Sequence, residues 1–240
     1  RRPSEPTDAG CYAERGYIHD AQCVNYYGPD SAYWGHEICF CASANTGTAD
    51  SPFINSISII DVTDKNNVVE ISNSPYGDGF GYSHQGWLTG DRRFYLHNDE
   101  LDEFFGTVAT TNTRIWDMTD LDSPKFVGDS TNGATSIDHN MYTRGRRAYA
   151  SNYTSGLRVF DSRRSNLRQG HLDEVAFFDM YPENDNATFE GGTWSNYSFF
   201  VRRSVIGVSS MDRGLFMLSV RASQRDDDDD DDEDDNDEND

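Results

Sequence analysis

The feature that most constrains the fold of this chain is a short pattern that recurs along it. Each copy has a glycine or polar lead, then a histidine, then a short apolar strand, and the three histidines are His19, His84 and His139. In a fourth copy, Trp194 occupies the histidine position. The copies are spaced 65, 55 and 55 residues apart. A period of this length is typical of arrays of small structural units.

Further short apolar segments follow each copy and are predicted to be strands. Second strands are predicted at residues 37–42, 93–97, 147–152 and 204–210. Third strands follow in all four copies, and three of them end in an acidic turn at Asp61, Asp117 and Asp161, which we expect to cap that turn. Fourth strands are predicted in three copies, at residues 68–72, 125–128 and 174–179. Four short strands per repeat predict an all-β β-propeller with about four blades, because each small sheet must pack on its neighbours to bury its apolar face.

The repeats divide the chain into three segments. Residues 1–8 are predicted to be a disordered leader or linker, residues 9–221 to form the blades, and residues 222–240 to be a disordered acidic tail. An extra strand predicted at residues 9–13 is expected to complete the last blade and close a four-bladed ring. The alternative is that the chain is the C-terminal part of a larger propeller.

Charge excludes some partners. The 240-residue chain carries 42 acidic and 20 basic residues, a net charge of −22, which argues against binding to nucleic acid or anionic lipid. Thirteen of the acids lie in residues 226–240, where they either keep the chain soluble, or hold Ca²⁺ loosely or contact a basic partner. No apolar run approaches the roughly 18 residues that a membrane span needs.

Cysteines and glycosylation sequons favour a secreted protein. Cys23 and Cys39 lie on neighbouring predicted strands, so a disulfide between them is feasible, although the spacing alone does not fix the pairing. Three N-x-[ST] sequons begin at Asn152, Asn186 and Asn196. Together with an even number of cysteines, they indicate an extracellular or cell-surface location.

The repeated histidines are the first candidate site. If His19, His84 and His139 lie on the innermost strands, their rings converge on the propeller axis, where imidazoles could hold a transition metal. Asp20 and Asp138 could then act as outer-shell acceptors for the rings. The alternative, which we favour, is that each histidine hydrogen-bonds the backbone of the next blade and fixes the register of the blades.

An acidic run is the second candidate site. Asp99, Glu100, Asp102 and Glu103 follow a predicted strand and could supply oxygen ligands to Ca²⁺. Their spacing does not match an EF-hand loop. The favoured alternative is a solvated loop, or one paired with nearby arginines.

Several motifs in order resemble the LVIVD-repeat proteins of the choice-of-anchor B type, over roughly residues 9–220. The matching stretches are Gly10–Tyr12, His19–Val24, Glu37–Phe40, Ile60–Asp64, His84–Thr89, Asp99–Glu103, Ile137–Asn140, Tyr181–Asp185 and Gly214–Phe216. The resemblance implies a secreted or surface-anchored β-propeller with further blades upstream. It implies no particular reaction, and the acidic tail departs from the usual ending of that family.

These observations predict a secreted or cell-surface binding or assembly module. Its expected partners are other extracellular proteins or glycans, and it could self-assemble as a component of an extracellular filament or coat. The alternative function is a metal-dependent oxidoreductase or hydrolase that uses the histidines at the axis.

Overall fold

The computed structural model describes residues 4–48, 51–78, 81–200 and 205–220, which form four antiparallel sheets. The first sheet contains β1 (Ile18–Asn25), β2 (Glu37–Thr48), β3 (Ser51–Asp61) and β4 (Val69–Asp78). The second contains β5 (Ser83–Leu88), β6 (Phe94–Asp99), β7 (Thr113–Asp117) and β8 (Lys125–Ser130). The third contains β9 (Asn140–Arg144), β10 (Arg147–Ser151), β11 (Leu157–Asp161) and β12 (Asp173–Phe178). The fourth contains β13 (Thr193–Tyr197), β14 (Val205–Ser210) and β15 (Gly214–Ser219).

Every sheet is a meander in which strands consecutive in sequence pair with each other. The only helical segments in the described ranges are a 3₁₀ turn at Ser31–Tyr33 and α1 (Arg164–Leu167). None of the described helices is both long and apolar enough to cross a membrane. The predicted all-β propeller is therefore confirmed, with one repeat of the sequence forming one blade.

The first strand of each blade lies at the hub. β5 packs against β1 on one side and β9 on the other, and β9 in turn packs against β13. Within the second blade, Gly86 of β5 leaves room for the ring of Tyr95 on β6, because a Cβ there would lie 2.4 Å from an atom of that ring. The repeated histidines lie on or directly before these hub strands: His19 on β1, His84 on β5 and His139 before β9. The repeated histidine position therefore faces the axis of the propeller.

Each pair of neighbouring sheets encloses a hydrophobic core. Successive side chains of a strand point to opposite faces, so β6 contributes to two cores. Tyr95 packs with Phe40 of the first blade, whereas Phe94 and Leu96 pack with Met141 of the third blade. A third core joins the third and fourth blades. Burying each large apolar side chain contributes roughly 1.5–3 kcal/mol, which holds the blades face to face.

Acidic residues end the third strands as predicted. The carboxylates of Asp61, Asp117 and Asp161 each accept a hydrogen bond from the backbone N–H two residues further on, at 2.8–3.0 Å. The predicted capping role is confirmed, because each carboxylate satisfies a donor that leaves the sheet ladder.

The prediction that residues 9–13 form a strand of the last blade is wrong. This segment is irregular and lies along the first sheet, where the Tyr12 hydroxyl and the Arg15 guanidinium both bind the Glu70 carboxylate. Tyr12 also packs beside Cys39 and Cys41 on that sheet's outer face. A local ion pair and apolar contacts therefore hold the segment on the first blade.

The blades do not close into a ring over the described residues. The outer face of the fourth sheet exposes Leu215 and Met217, whose side chains are 71% and 56% accessible. The predicted acidic tail, residues 222–240, lies outside the described residues.

Candidate metal centre at the hub

Three histidine rings form a continuous stack at the hub. The ring centroids of His19 and His84 are 4.0 Å apart, and those of His84 and His139 are 4.4 Å apart. His84 and His139 are buried, whereas His19 at the open end of the stack is exposed. The equivalent hub strands of neighbouring blades thus bring the predicted residues together.

Backbone carbonyl groups fix the tautomers of two of the rings. Nδ1 of His19 lies 2.9 Å from the carbonyl oxygen of His84, and Nδ1 of His139 lies 2.7 Å from that of Trp194. A carbonyl oxygen can only accept, so Nδ1 carries the proton in both rings. These bonds link one blade to the next, as the structural interpretation of the histidines requires, and they leave Nε2 of each neutral ring with a free lone pair.

Glu100 brings its carboxylate to the two buried rings. Nε2 of His139 lies 3.5 Å from Oε1 of Glu100, and Nε2 of His84 lies 3.6 Å from Oε2. Both separations exceed a normal hydrogen bond. They are close to the about 3.3–3.4 Å between two ligands that each lie about 2.0–2.1 Å from a tetrahedral zinc ion. His84 Nδ1 has no hydrogen-bond partner among the described residues.

Burial keeps the imidazoles of His84 and His139 uncharged. It lowers the pKa of His139 to about 4 and lowers the pKa of His84 further still, because the interior disfavours a charged ring. Burial also raises the pKa of Glu100, an effect that the hydrogen bond from Tyr153 opposes. Neutral imidazoles beside a carboxylate form a donor set suited to a cation of the zinc class.

Tyr153 is part of this site and was missed by the sequence analysis. Its hydroxyl donates to Oε1 of Glu100 at 2.6 Å, and its ring lies 4.7 Å from that of His139. Tyr153 adopts a left-handed backbone conformation with φ of 40°, which is costly for a tyrosine. Its carbonyl accepts from Thr193 N–H at 2.8 Å, beside Gly192, where a Cβ would lie 2.0 Å from that oxygen. The sequence did offer one indication of its role. Tyr153 closely follows the second strand of its blade, as Glu100 follows the second strand of the preceding blade.

A separate carboxylate cluster lies next to the histidine site in sequence. Asp102, Glu103 and Asp138 are 2%, 5% and 1% exposed, and one oxygen of each lies within 4.8 Å of the others. Burial raises the pKa of Asp102 to about 6 and that of Glu103 to about 12, and it raises the pKa of Asp138 well above its usual value. The cluster excludes Glu100, so the four predicted calcium ligands do not act together.

The remaining predicted ligands have other roles. Asp99 pairs with Arg114 at 3.0 Å and accepts from the Tyr76 hydroxyl at 2.6 Å. Asp20 accepts from the Ala21 N–H at 2.6 Å. The expectation that Asp20 and Asp138 orient the histidine rings is wrong in the described structure, because backbone carbonyls fill that role and Asp138 is bound by Asn98 instead.

The sequons differ in accessibility. Asn152 and Asn196 are 2% and 6% exposed, and the Asn196 amide donates to Tyr149 O and Ser151 Oγ, both at 3.0 Å. A glycan on either side chain is incompatible with this burial, which corrects the expectation for those two residues. Asn186 is exposed and stays a predicted acceptor.

Cysteine pairing joins the first two strands. Cys23 and Cys39 are opposite each other on β1 and β2 and form a disulfide. Cys11 and Cys41 are free, and burial raises the pKa of the Cys41 thiol to about 12, so that it stays protonated.

A cleft of about 670 Å³ lies between the third and fourth blades, and its lining combines apolar side chains with the charged Arg147, Asp161 and Arg163. Its lining includes Leu157, Val159, Phe177, Ile206 and Met217, and it contains none of the predicted metal ligands. The predicted metal ligands therefore lie at the hub and not in this cleft.

Fold and hub together define a β-propeller with a polar, histidine-lined axis. No protein-family model matches the chain, and no curated protein matches it. Among solved structures, the complex of KlAtg21 with the coiled coil of AgAtg16 is similar at 11% identity with a TM-score of 0.55, over 85% of this chain and 53% of that one.

The dihydro-heme d1 dehydrogenase NirN, solved in complex with DHE, is also similar. The identity is 15% and the TM-score 0.53, over 87% of this chain and 36% of that one. The chain thus spans about half or less of the length of these two structures. At such identities the likeness supports the propeller fold alone.

Proposed function

We propose that the chain is an extracellular β-propeller binding module of the LVIVD-repeat type whose hub binds a transition-metal ion of the zinc class. The ligands are His84 Nε2, His139 Nε2 and the Glu100 carboxylate. Outside partners, either proteins or glycans, would bind the loops that the rigid blades present.

One observation carries the metal proposal. The lone pair of His139 Nε2 faces Oε1 of Glu100, an oxygen that already accepts from Tyr153. Two acceptors that face each other in a buried site repel unless a cation lies between them. A proton on Glu100 could serve only one of its two histidine neighbours, whereas one metal ion serves all three ligands.

Metal analysis tests this proposal. Bound metal is first removed from the protein with a chelator, and the protein is then loaded with one equivalent of zinc and desalted. The zinc content per chain is measured by inductively coupled plasma mass spectrometry. We expect about one zinc per chain in the wild type and in the control His171→Ala, whose exposed ring binds Asp173. We expect loss of that zinc in His84→Ala, and a wild type that retains no zinc would contradict the proposal.

Location outside the cell is supported by three features. These are the resemblance to LVIVD-repeat proteins, the disulfide between Cys23 and Cys39, and the exposed sequon at Asn186. Fractionation of cells that make the protein tests it. Recovery from the medium or the cell surface, with Cys23 and Cys39 oxidised, is expected, and a cytosolic chain with both thiols free would contradict the location.

A second candidate function is a metal-dependent hydrolase or oxidoreductase. Two observations favour it: the hub supplies three protein ligands, which leaves a coordination position open, and Tyr153 is held beside it in a strained conformation. Turnover of model esters that depends on zinc and is lost in Glu100→Gln would support the enzyme. Absence of zinc-dependent turnover of ester, phosphoester and redox substrates would exclude this function and favour the binding module.

A further inference from the structure

We propose that Asp102, Glu103 and Asp138 form a second cation site, separate from the histidine site, which binds Ca²⁺ through oxygen ligands only. The site goes beyond the proposed function, since neither the zinc ligands nor the outer loops take part in it.

Unsatisfied oxygens within the cluster are the observation that points to a ligand. Both carboxylate oxygens of Glu103, Oδ2 of Asp102 and Oδ1 of Asp138 have no hydrogen-bond partner in the described part of the chain. These side chains are at least nine-tenths buried. Buried polar atoms are normally paired, so four unpaired oxygens on three carboxylates that bring one oxygen each within 4.8 Å of the others call for a missing partner.

Nearby basic groups do not neutralise the cluster. Among the described residues, Arg114 is the cation that pairs with the cluster, 4.0 Å from Oδ2 of Asp102, and it already pairs with Asp99 at 3.0 Å and Asp129 at 3.2 Å. No ion pair to Glu103 or Asp138 is formed within the described residues. In the part of the chain that the structure describes, the only positive charge near the three buried carboxylates is therefore one guanidinium that two other acids also contact. A divalent cation would compensate the remaining negative charge.

The type of ligand selects the ion. All ligands are carboxylate oxygens, which suit hard cations and not the zinc class. Both oxygens of Glu103 are available, as a bidentate ligand of Ca²⁺ requires, and the unpaired Oδ1 of the buried Asn98, whose amide binds Asp138, could add a fifth protein oxygen. Mg²⁺ usually keeps several waters, which a site this buried does not favour.

A third carboxylate group provides the matched control. Asp30, Asp120 and Asp122 also bring oxygens within 4.8 Å of one another, but Asp120 and Asp122 are exposed. Their oxygens are used: Asp30 accepts from the Leu121 N–H at 2.9 Å, and Asp122 accepts from the Tyr33 hydroxyl at 3.0 Å. The acids are equally close together in the two groups, but only the cluster of Asp102, Glu103 and Asp138 is fully buried and has unpaired oxygens.

Thermal unfolding of the full chain with and without Ca²⁺ tests the proposal. The wild type and Asp122→Asn should each gain roughly 5–10 °C in Tm when Ca²⁺ is 100-fold above its Kd. Glu103→Gln should lose that gain while its Tm without Ca²⁺ equals or exceeds that of the wild type, because glutamine keeps the shape of the side chain and cannot carry a charge in the buried cluster. All variants keep residues 226–240, so binding of Ca²⁺ by the tail cancels in the comparison.

Two outcomes would overturn the proposal. The first is an equal gain in the wild type and Glu103→Gln, which would place Ca²⁺ elsewhere and leave a shared proton as the partner of the carboxylates. The second is loss of the gain in Asp122→Asn alone. If Glu103→Gln does not fold, Asp138→Asn takes its place with the same expectations. Zinc retention, measured on the same samples, keeps failure of this site distinct from failure of the histidine site.

Discussion

The histidine site and the carboxylate site share two stretches of chain, residues 100–103 and 138–139, yet they have no ligand in common, and His84 on β5 belongs to the histidine site alone. Glu100 joins the imidazoles, whereas Asp102 and Glu103, two and three residues later, join the carboxylate cluster. His139 and its neighbour Asp138 separate in the same way. Both stretches are irregular, and the chain turns between residues 100 and 103, so side chains close in sequence reach two sites of different chemistry.

The two sites therefore differ in donor type although several of their residues are neighbours in sequence. One site combines neutral nitrogen donors with a single carboxylate, and the other has oxygen donors only. Variants of either site can break this separation or measure how complete it is.

Removal of both buried imidazoles should have the largest effect. The double variant His84→Ala/His139→Ala should weaken zinc binding by at least about 1,000-fold, which corresponds to roughly 4 kcal/mol. Its Ca²⁺ affinity should stay within about threefold of the wild type, because the carboxylates are untouched. Titration calorimetry with each ion measures both values, and a parallel loss of Ca²⁺ affinity would show that the two sites are one.

Buried His97 should give a pH dependence that zinc does not remove. Its Nε2 lies 3.0 Å from Ser83 Oγ and 3.3 Å from the Tyr76 hydroxyl, with Asp99 and Arg114 nearby. Burial lowers the pKa of His97 from 6.5 to about 4. The unfolded chain therefore binds the proton first as the pH falls.

The neutral His97 ring should contribute its full stabilisation above pH 6.5. As the pH falls from 6.5 to 4, the free energy of unfolding should decrease by roughly 3 kcal/mol because of this residue. His97→Gln should show that much less pH dependence in chemical denaturation, with zinc present or absent. An identical pH profile in His97→Gln and the wild type would contradict the burial of a neutral ring.

Loss of the Tyr153 hydroxyl should weaken zinc binding moderately. Tyr153→Phe removes the hydrogen bond that orients Glu100, and a lost outer-shell partner costs about 10–100-fold in metal affinity. The control Tyr142→Phe, whose hydroxyl contacts only Ser195 among the described polar partners, should leave zinc affinity unchanged. Equal affinities in all three proteins would exclude a positioning role for Tyr153.

Substitution at the fourth hub position should have the smallest effect. Trp194 assists His139 through its backbone carbonyl, which Trp194→His retains. Zinc affinity should change by less than about twofold, well within 1 kcal/mol. A tenfold gain would mean that a fourth imidazole can reach the ion and that the site is centred nearer the axis.

The sequence predicted the architecture well where the repeat carried the information. The position of a histidine at the start of three of the four blades was enough to place His19, His84 and His139 together, since equivalent strands converge at the hub. The unbroken apolar run Phe94–Leu96 of β6 likewise follows from the two cores that the strand serves, one on each face.

Partners that come from loops could not be predicted in the same way. The segment from Asp99 to Glu103 leaves β6 in a series of turns, so the direction of each acid depends on the tertiary fold and not on strand periodicity. Residues 9–13 read as a strand, but the contacts of Tyr12 and Arg15 with Glu70 hold them on the first sheet without joining its ladder.

The central claim is that imidazoles of the hub hold a metal, and X-ray absorption at the zinc edge of protein loaded with one equivalent tests it most directly. We expect a first shell with two nitrogen scatterers from imidazole rings and oxygen from Glu100, at about 2.0–2.1 Å, and no sulfur. A shell made of oxygen only, or one that contains sulfur, would place the zinc away from His84 and His139 and contradict the account.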